Sequence, residues 1–382
     1  MGRDKNLDSS ELYFNQESNA ELFNKNTAYK ISSDSKRREN ISSSFFDVYK
    51  LGIKDISSFE VSKDASSFFL SDKNSNLYWY KKVNGKFLKR TLLKGNSPIT
   101  AIALSPDEQK LIVAQFSSAS IFDLQKMKIE AKQKRIKGRI KTVSWDKTGE
   151  QVAFGLVSGG VYVWRFDKKV KEPLEVYESE STSAIVGIAF LPSSEGMFTA
   201  SRKGEIKVWR LKKADQELGY YDPNALIDQD KEAQYSKEVA TLGTEIENIW
   251  LDENNLYVSS SAGEVYAWKL RGLKSLGKIK ADLRGVLSSG SINQEVFFTT
   301  GREQNLKFWC VNSLAQENTG IGLLSTVKKQ DFALYRSGVF ESTLNLAKIA
   351  SGQLWAYEKT GNLISLDFSR LNILNRCNAQ SK

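Results

Sequence analysis

Two stretches rich in lysine and arginine carry the clearest chemical signal in the sequence. Residues 81–94 contain six Lys or Arg and no acid, and residues 126–141 contain eight against a single Glu. Clusters of this kind attract nucleic acid, acidic proteins or anionic membrane surfaces. The candidate binding residues in these stretches are Lys86, Arg90, Lys126, Lys128, Lys132, Lys134, Arg135, Lys137, Arg139 and Lys141.

The same lysines also have a purely structural explanation. Lysines on an edge strand discourage pairing with the edge of another sheet. Between residues 126 and 132, Met127, Ile129 and Ala131 alternate with charged residues, which predicts a half-buried strand with its charges directed outward. The sequence leaves both interpretations of the basic stretches open.

The chain lacks the residues on which most catalytic and metal sites depend. It contains no histidine, which excludes histidine general bases, Ser–His and Cys–His pairs and His-ligated metals. Its two cysteines, Cys310 and Cys377, form no CxxC unit, and a Walker loop and a GxGxxG motif are both missing. We therefore expect no catalytic residues, no cofactor and no metal, and the chain is not expected to be an enzyme.

Length and composition are those of an ordinary globular protein with a basic excess. The 382 residues carry a formal net charge of +10, with 40% hydrophobic residues. No apolar run approaches the roughly 18 residues that a membrane helix needs, and the first residues lack the apolar core of a secretory signal. Two isolated cysteines suit a reducing compartment. We expect an intracellular protein, cytoplasmic or nuclear, that is not secreted and does not span a membrane.

A repeated strand dominates the organisation of the chain. Seven short apolar strands each end in a large apolar residue that follows a turn by a few positions. These end positions are Tyr80, Phe122, Trp164, Trp209, Trp268, Trp309 and Leu366, at spacings of 42, 42, 45, 59, 41 and 57 residues. A fixed period of about 40–45 residues is typical of propeller blades.

Two further strands precede each of these end positions, and a fourth follows most of them. The first strand of each set begins 22 to 24 residues before the end position in all seven copies. The fourth strands are more polar, as in 86–93, 126–133 and 174–179. Four strands per period predict an all-β, seven-bladed propeller over residues 44–370. The alternative, a β-sandwich with seven coincidental hairpins, does not explain the constant register.

The last copy lacks its own fourth strand, and an unassigned apolar strand at 44–52 lies before the first copy. We expect this N-terminal strand to pair with residues 362–369, which closes the ring and removes its open edges.

The repeats resemble the WD-repeat propeller family. The resemblance rests on third strands such as GVYVW at 160–164, on the SPDEQKL turn from Ser105 to Leu111, and on the blade period. No Trp is followed by Asp and no Gly-His dipeptide occurs, so the family's Asp-His-Ser-Trp tetrad cannot form. A quinoprotein-type or other propeller stays open. Apolar packing between blades is expected to carry more of the stability.

Two tails and two inserts lie outside the repeats. Residues 1–43 are rich in Ser, Asn and charge and are expected to be disordered, with apolar spots at 12–14 and 22–23 that suit a short docking peptide. Residues 371–382 form a C-terminal tail. The insert at 212–235 is either a solvated loop or a partner-binding loop anchored by Tyr220 and Tyr221, and a smaller insert lies near 312–342.

Resemblance to WD-repeat proteins implies a non-catalytic scaffold whose partners are other proteins of a multi-subunit complex. The rival hypothesis is a propeller that binds nucleic acid or ribonucleoprotein through a basic rim on blades one and two. A steep loss of affinity with salt would favour the rival.

Overall fold

The computed structural model describes residues 46–134, 136–166, 175–177, 182–211, 236–294, 296–304, 306–310, 333–336 and 343–367. The expected tails at 1–43 and 371–382 and the insert at 212–235, with Tyr220 and Tyr221, lie outside these residues.

Twenty-eight strands form seven four-stranded antiparallel sheets, as the repeat predicted. The innermost strands contact one another in a closed ring; they are β2 (Ile56–Val61), β6 (Ile99–Leu104), β10 (Ile140–Trp145), β14 (Ile185–Phe190), β18 (Ile246–Leu251), β22 (Val286–Ser291) and β26 (Leu344–Ala350). The second strands are β3 (Ser67–Asp72), β7 (Lys110–Gln115), β11 (Gln151–Leu156), β15 (Gly196–Ser201), β19 (Asn255–Ser260), β23 (Val296–Gly301) and β27 (Gln353–Glu358).

The third strands carry the repeated end positions. They are β4 (Asn76–Val83), β8 (Ser118–Asp123), β12 (Val161–Arg165), β16 (Glu205–Arg210), β20 (Glu264–Lys269), β24 (Leu306–Cys310) and β28 (Asn362–Asp367). The outermost strands are β5 (Lys86–Lys94), β9 (Lys128–Gln133), β13 (Glu175–Tyr177), β17 (Ser236–Thr241), β21 (Ser275–Lys280), β25 (Ala333–Arg336) and, for blade seven, β1 (Phe46–Lys50). Within the residues that the structure describes, one 3-10 turn, Arg271–Leu273, lies before β21.

Each innermost strand contains the same irregularity. The register between first and second strands shifts directly after the first residue of the innermost strand in all seven blades, for example between Ile140 and Thr142. That first residue is Ile, Val or Leu in every blade. A bulge bends and twists its strand locally. The seven bulges therefore give all innermost strands the same bend where they enter the central ring.

Apolar packing between neighbouring blades forms the core. The buried apolar residues fall into seven clusters, and each cluster draws its members from two adjacent blades. Every predicted end position, from Tyr80 to Leu366, is buried and lies in the cluster between its own blade and the preceding one. Each of these side chains therefore covers part of the face of a neighbouring blade.

Two of the end-position tryptophans also make a buried hydrogen bond. The indole Nε1 of Trp209 donates to Thr199 Oγ1 at 2.7 Å, and that of Trp309 donates to Thr299 Oγ1 at 2.9 Å. In both blades the threonine precedes the tryptophan by ten residues and lies on the second strand. A buried indole N–H needs such an acceptor, and here a hydroxyl on the adjacent strand supplies it.

The N-terminal strand completes blade seven. β1 pairs with β28 in antiparallel register from Phe46–Leu366 to Lys50–Asn362, which confirms the predicted closure. Val48 packs into the cluster between blades six and seven, whereas Tyr49 packs between blades seven and one. The closing strand thus contributes to both interfaces of its blade.

The closing strand offers a matched pair of substitutions. Val48→Asp places an unpaired carboxylate in an apolar interface and is expected to lower the free energy of unfolding by about 3–5 kcal/mol. Lys50→Asp introduces the same residue at an exposed position of the same strand, where the change should stay within about 0.5 kcal/mol. Urea denaturation of the full chain measures both values, and equal effects would contradict the closure.

Trp209 tests the blade interfaces. Trp209→Ala removes a buried indole and is expected to cost about 3–5 kcal/mol. Trp209→Phe keeps most of the packing and loses the hydrogen bond to Thr199, so its cost should be only about 1–2 kcal/mol. Thermal and urea unfolding should rank the variants in that order. A stability within about 0.5 kcal/mol of the parent for Trp209→Ala would refute the interface.

Candidate functional site

The basic residues of blade one lie on a tight hairpin. Asn84 and Gly85 connect β4 to β5 with φ values of 50° and 75°. Two consecutive residues with positive φ are the signature of a type I′ turn, which joins strands without a slip. The turn sets Val83 opposite Lys86, and Trp79 opposite Arg90.

Alternation along β5 decides which way its side chains project. Phe87 is fully buried in the cluster between blades seven and one. Its neighbours Lys86 and Leu88 therefore project to the other side of the sheet, towards blade two, and Arg90 follows the same alternation. Residues opposite each other on paired strands share a side, so Trp79 also faces blade two, in agreement with its packing against the cluster between blades one and two.

The basic residues of blade two lie on β9, but the pattern expected there holds only in part. Phe122, in the cluster between blades one and two, lies opposite Ile129, and Ser120 lies opposite Lys132. Ile129 and Lys132 therefore project towards blade one. Ala131 is partly buried as expected, whereas Ile129 is 44% exposed. The half-buried prediction fails at Ile129 because the register shift between Ile121 and Phe122 puts Ile129 and Ala131 on opposite sides of β9.

The two outer strands thus form the walls of one cleft between blades one and two, hereafter the rim cleft. Its walls carry Lys86, Leu88 and Arg90 from blade one and Ile129 and Lys132 from blade two. Leu88 is 38% exposed, and Lys86 and Lys132 are exposed. Within the described residues, neither Lys86 nor Lys132 forms an ion pair. The surface therefore combines exposed apolar side chains with positive charge.

A pocket of about 150 Å³ opens between the same two blades. Its apolar wall consists of Phe69, Trp79, Leu104, Leu124 and Met127, and its polar side consists of three serines with two carboxylates. The rings of Phe69 and Trp79 stack with centroids 6.4 Å apart. The Trp79 Nε1 atom is shielded from solvent and has no hydrogen-bond partner among the described residues.

The remaining basic candidates do not join the rim cleft. Lys126 lies in the turn before β9, and Lys128 projects from the opposite side of β9 to Lys132. The chain leaves the rim after Gln133, so Lys134, Lys137 and Arg139 lie in the connection to blade three. Lys141 is the bulged residue of innermost strand β10. Of the ten candidates, the structure brings Lys86, Arg90 and Lys132 together at the rim cleft and places six others elsewhere, while Arg135 lies outside the described residues.

Two carboxylates near the basic stretch are already paired. Asp123 Oδ2 lies 3.0 Å from Lys126 Nζ, and Glu130 Oε2 lies 3.3 Å from Lys110 Nζ. Hydrogen bonds from the Lys126 backbone and side chain lower the pKa of Asp123, and the bond to Asp123 raises the pKa of Lys126. The one acid of residues 126–141 thus neutralises a lysine on β7.

Aromatic residues adjoin the lysines, and reasoning on the basic stretches alone missed them. The Lys89 Nζ atom lies 4.9 Å from the ring centre of Tyr78, and that of Lys81 lies 5.8 Å from the ring centre of Trp79. Burial, followed by a hydrogen bond to Asp72, raises the pKa of Tyr78 to about 12. The Asn84–Gly85 turn is the sequence signal that could have predicted these contacts, because it fixes the register in which β4 pairs with β5.

Among the described residues, no group of three or more His, Cys, Asp or Glu side chains is placed to hold a metal ion. No helix in the described part of the chain is long and apolar enough to cross a membrane.

Comparison with known proteins gives one similarity. A family model described as eukaryotic translation initiation factor eIF2A matches residues 57–212, a range that contains the whole rim cleft. The match and the seven blades both fit a propeller family. No curated protein matches the chain.

Charge reversal in the rim cleft should leave folding intact. Exposed charges contribute little to stability, so Lys86→Glu with Lys132→Glu should leave the melting temperature within about 2 °C of the parent. The matched control, Lys137→Glu with Arg139→Glu, makes the same change in net charge away from the cleft. Differential scanning fluorimetry compares the three proteins. A large loss of stability in the first pair alone would mean that the two lysines are structural.

Proposed function

We propose that this chain is a non-catalytic, WD-repeat-like propeller that serves as a scaffold in a translation-related assembly. The rim cleft is the surface through which it binds an acidic partner protein. The observation that carries the proposal is the combination of exposed Leu88 and Ile129 with Lys86 and Lys132, within the range that resembles the initiation factor family.

Apolar anchors surrounded by charge are what a protein-binding surface needs. The energy of most interfaces comes from a few buried apolar or aromatic residues, while charged residues around them speed association and exclude wrong partners. Leu88 and Ile129 lie on facing walls, and basic side chains flank both. A partner segment that carries an apolar side chain between acidic residues would complement both features.

The non-catalytic assignment rests on composition. Without histidine, an enzyme would need a carboxylate, lysine or tyrosine site with its pKa shifted towards neutrality. Tyr78, Tyr257, Tyr266 and Tyr357 have their pKa values raised by burial, away from neutrality, and each donates a hydrogen bond within the fold. Their environments suit structural roles.

Rigid display is the proposed mechanism. The seven interfaces fix the blades relative to one another, so the two walls of the rim cleft are held in place before a partner arrives. Binding to a preformed surface avoids the entropy that ordering a flexible site would cost.

Nucleic acid is the second candidate ligand, and one observation favours it. Trp79 lies beside Lys81 on the cleft side of blade one, and aromatic rings with cations are the usual means of holding unpaired bases and phosphates. The Trp79 ring is half-buried, so stacking would require Lys81 to move aside.

Sedimentation tests the assembly. Full-length chain in an extract of its own organism is expected to migrate with ribosomal or initiation complexes in a sucrose gradient. Lys86→Glu with Lys132→Glu should return most of it to the light fractions, whereas the Lys137→Glu, Arg139→Glu control should not. A parent chain that stays in the light fractions would contradict a translation-related assembly.

The salt dependence of binding distinguishes nucleic acid from a protein partner. Contacts to phosphates release counterions, so binding through the three cationic residues of the rim cleft should weaken by roughly fortyfold between 50 and 200 mM salt. A protein partner held by apolar anchors should lose much less. Nuclease treatment of the same gradient provides the control, because a protein-mediated association survives it.

A further inference from the structure

The rim cleft exposes apolar side chains to solvent. Leu88 and Ile129 are among six large apolar side chains that are exposed in the described part of the chain. Leu88 projects into the cleft from blade one and Ile129 from blade two, near a pocket whose wall contains Trp79 and Met127. No described element lies over them. An exposed apolar cleft rimmed by charge indicates a binding site.

One segment of the same chain has the complementary chemistry. Residues 6–24 contain four acids, Asp8, Glu11, Glu17 and Glu21, and no lysine or arginine, in a chain whose net charge is +10. The segment also contains apolar groups at 12–14 (Leu-Tyr-Phe) and 22–23 (Leu-Phe). Apolar side chains between acids match a cleft in which apolar side chains lie between Lys86, Arg90 and Lys132.

The segment can reach the cleft without leaving its own molecule. The described chain begins at Phe46 on β1, the outermost strand of blade seven. The outer strands β1, β5 and β9 all lead into the innermost strand of the next blade, so all three run in the same direction and begin at the same face. Packed sheets lie about 10 Å apart, and the blades diverge outward from the central ring, so β1 and β9 are separated by more than two such steps. The 22 residues between Phe23 and Phe46 span up to roughly 70 Å.

We propose that residues 8–23 bind within the rim cleft of the same chain. The apolar groups at 12–14 and 22–23 pack on Leu88, Ile129 and the Trp79–Met127 wall, and the acids lie towards Lys86, Arg90 and Lys132. The segment then occupies the surface that an acidic partner would use, and a partner must displace it. The inference rests on the cleft and the sequence, and it stands whether or not the cleft also serves a translation-related assembly.

Photo-cross-linking of the purified full-length chain tests this directly. p-Benzoylphenylalanine replaces Tyr13, within the segment, or Tyr29, outside it, and mass spectrometry identifies the linked peptides after irradiation. The expected result is a link from position 13 to residues 77–94 or 124–133, in greater yield than from position 29. Links from position 13 to other blades, or equal yields from the two positions, would overturn the proposal.

Two further measurements test whether charge attraction directs the cross-link and whether the link forms within one molecule. Lys86→Glu with Lys132→Glu should cut the cross-link yield from position 13 severalfold, because attraction between the acids and the lysines is replaced by repulsion. The control variant, Lys137→Glu with Arg139→Glu, should leave the yield unchanged. An unchanged yield in the Lys86→Glu, Lys132→Glu variant would refute the charge match. Mixing isotopically heavy and light chains shows whether the link is internal. Heavy–light links would assign the segment to a second copy and overturn binding within one chain. No partner is present, so these results do not depend on the gradient experiment.

Discussion

Apolar contact between blades is the interaction on which the rest of this molecule depends. A single four-stranded blade has two faces and no core of its own, so each face must be covered by a neighbour. All seven clusters of buried apolar residues are shared in this way, and the end position of each third strand lies in one of them. Side-chain hydrogen bonds also cross between blades: Trp145 Nε1 donates to the Ala103 carbonyl oxygen, and Trp250 Nε1 donates to Ser291 Oγ. The ring is stable because every interface has a partner, including the one that β1 completes.

The rim cleft is a consequence of where these interfaces end. β4 and β5 have 8 and 9 residues, and they are the two longest strands in the described part of the chain. β9, across the cleft, has only six. The hairpin of blade one is therefore longer than the outer strand across the cleft, and Leu88 and Lys86 lie near its exposed tip. Side chains that would be core in an evenly matched pair of blades become a surface with both apolar and charged character.

The fold could be predicted from the sequence, but only part of the candidate site could. The blades could be predicted because the distance from the start of the first strand to the end position of the third is 22 to 24 residues in all seven copies. The closure of the ring could be predicted because the strand at Phe46–Lys50 precedes the first repeat and the last repeat lacks a fourth strand. In blade one, Asn84–Gly85 fixes the pairing of Trp79 with Arg90, so that wall was also predictable. In blade two, a four-residue turn ending at Met127, with φ 54°, and a shift between Ile121 and Phe122 change the register. Charge counting along residues 126–141 could not show that the chain leaves the rim after Gln133.

The pairing of β1 with β28 also decides how the protein responds to force. Phe46 lies opposite Leu366, so the two ends of the ring emerge side by side from one pair of strands. Tension applied to both ends would load the bonds between these strands one after another, as in opening a zip, instead of all together. Resistance to such pulling depends on the rate of unfolding and not on the equilibrium stability. A processive unfoldase that grips either end would therefore meet blade seven first, and once β1 has peeled away the remaining blades would be exposed in sequence from that break.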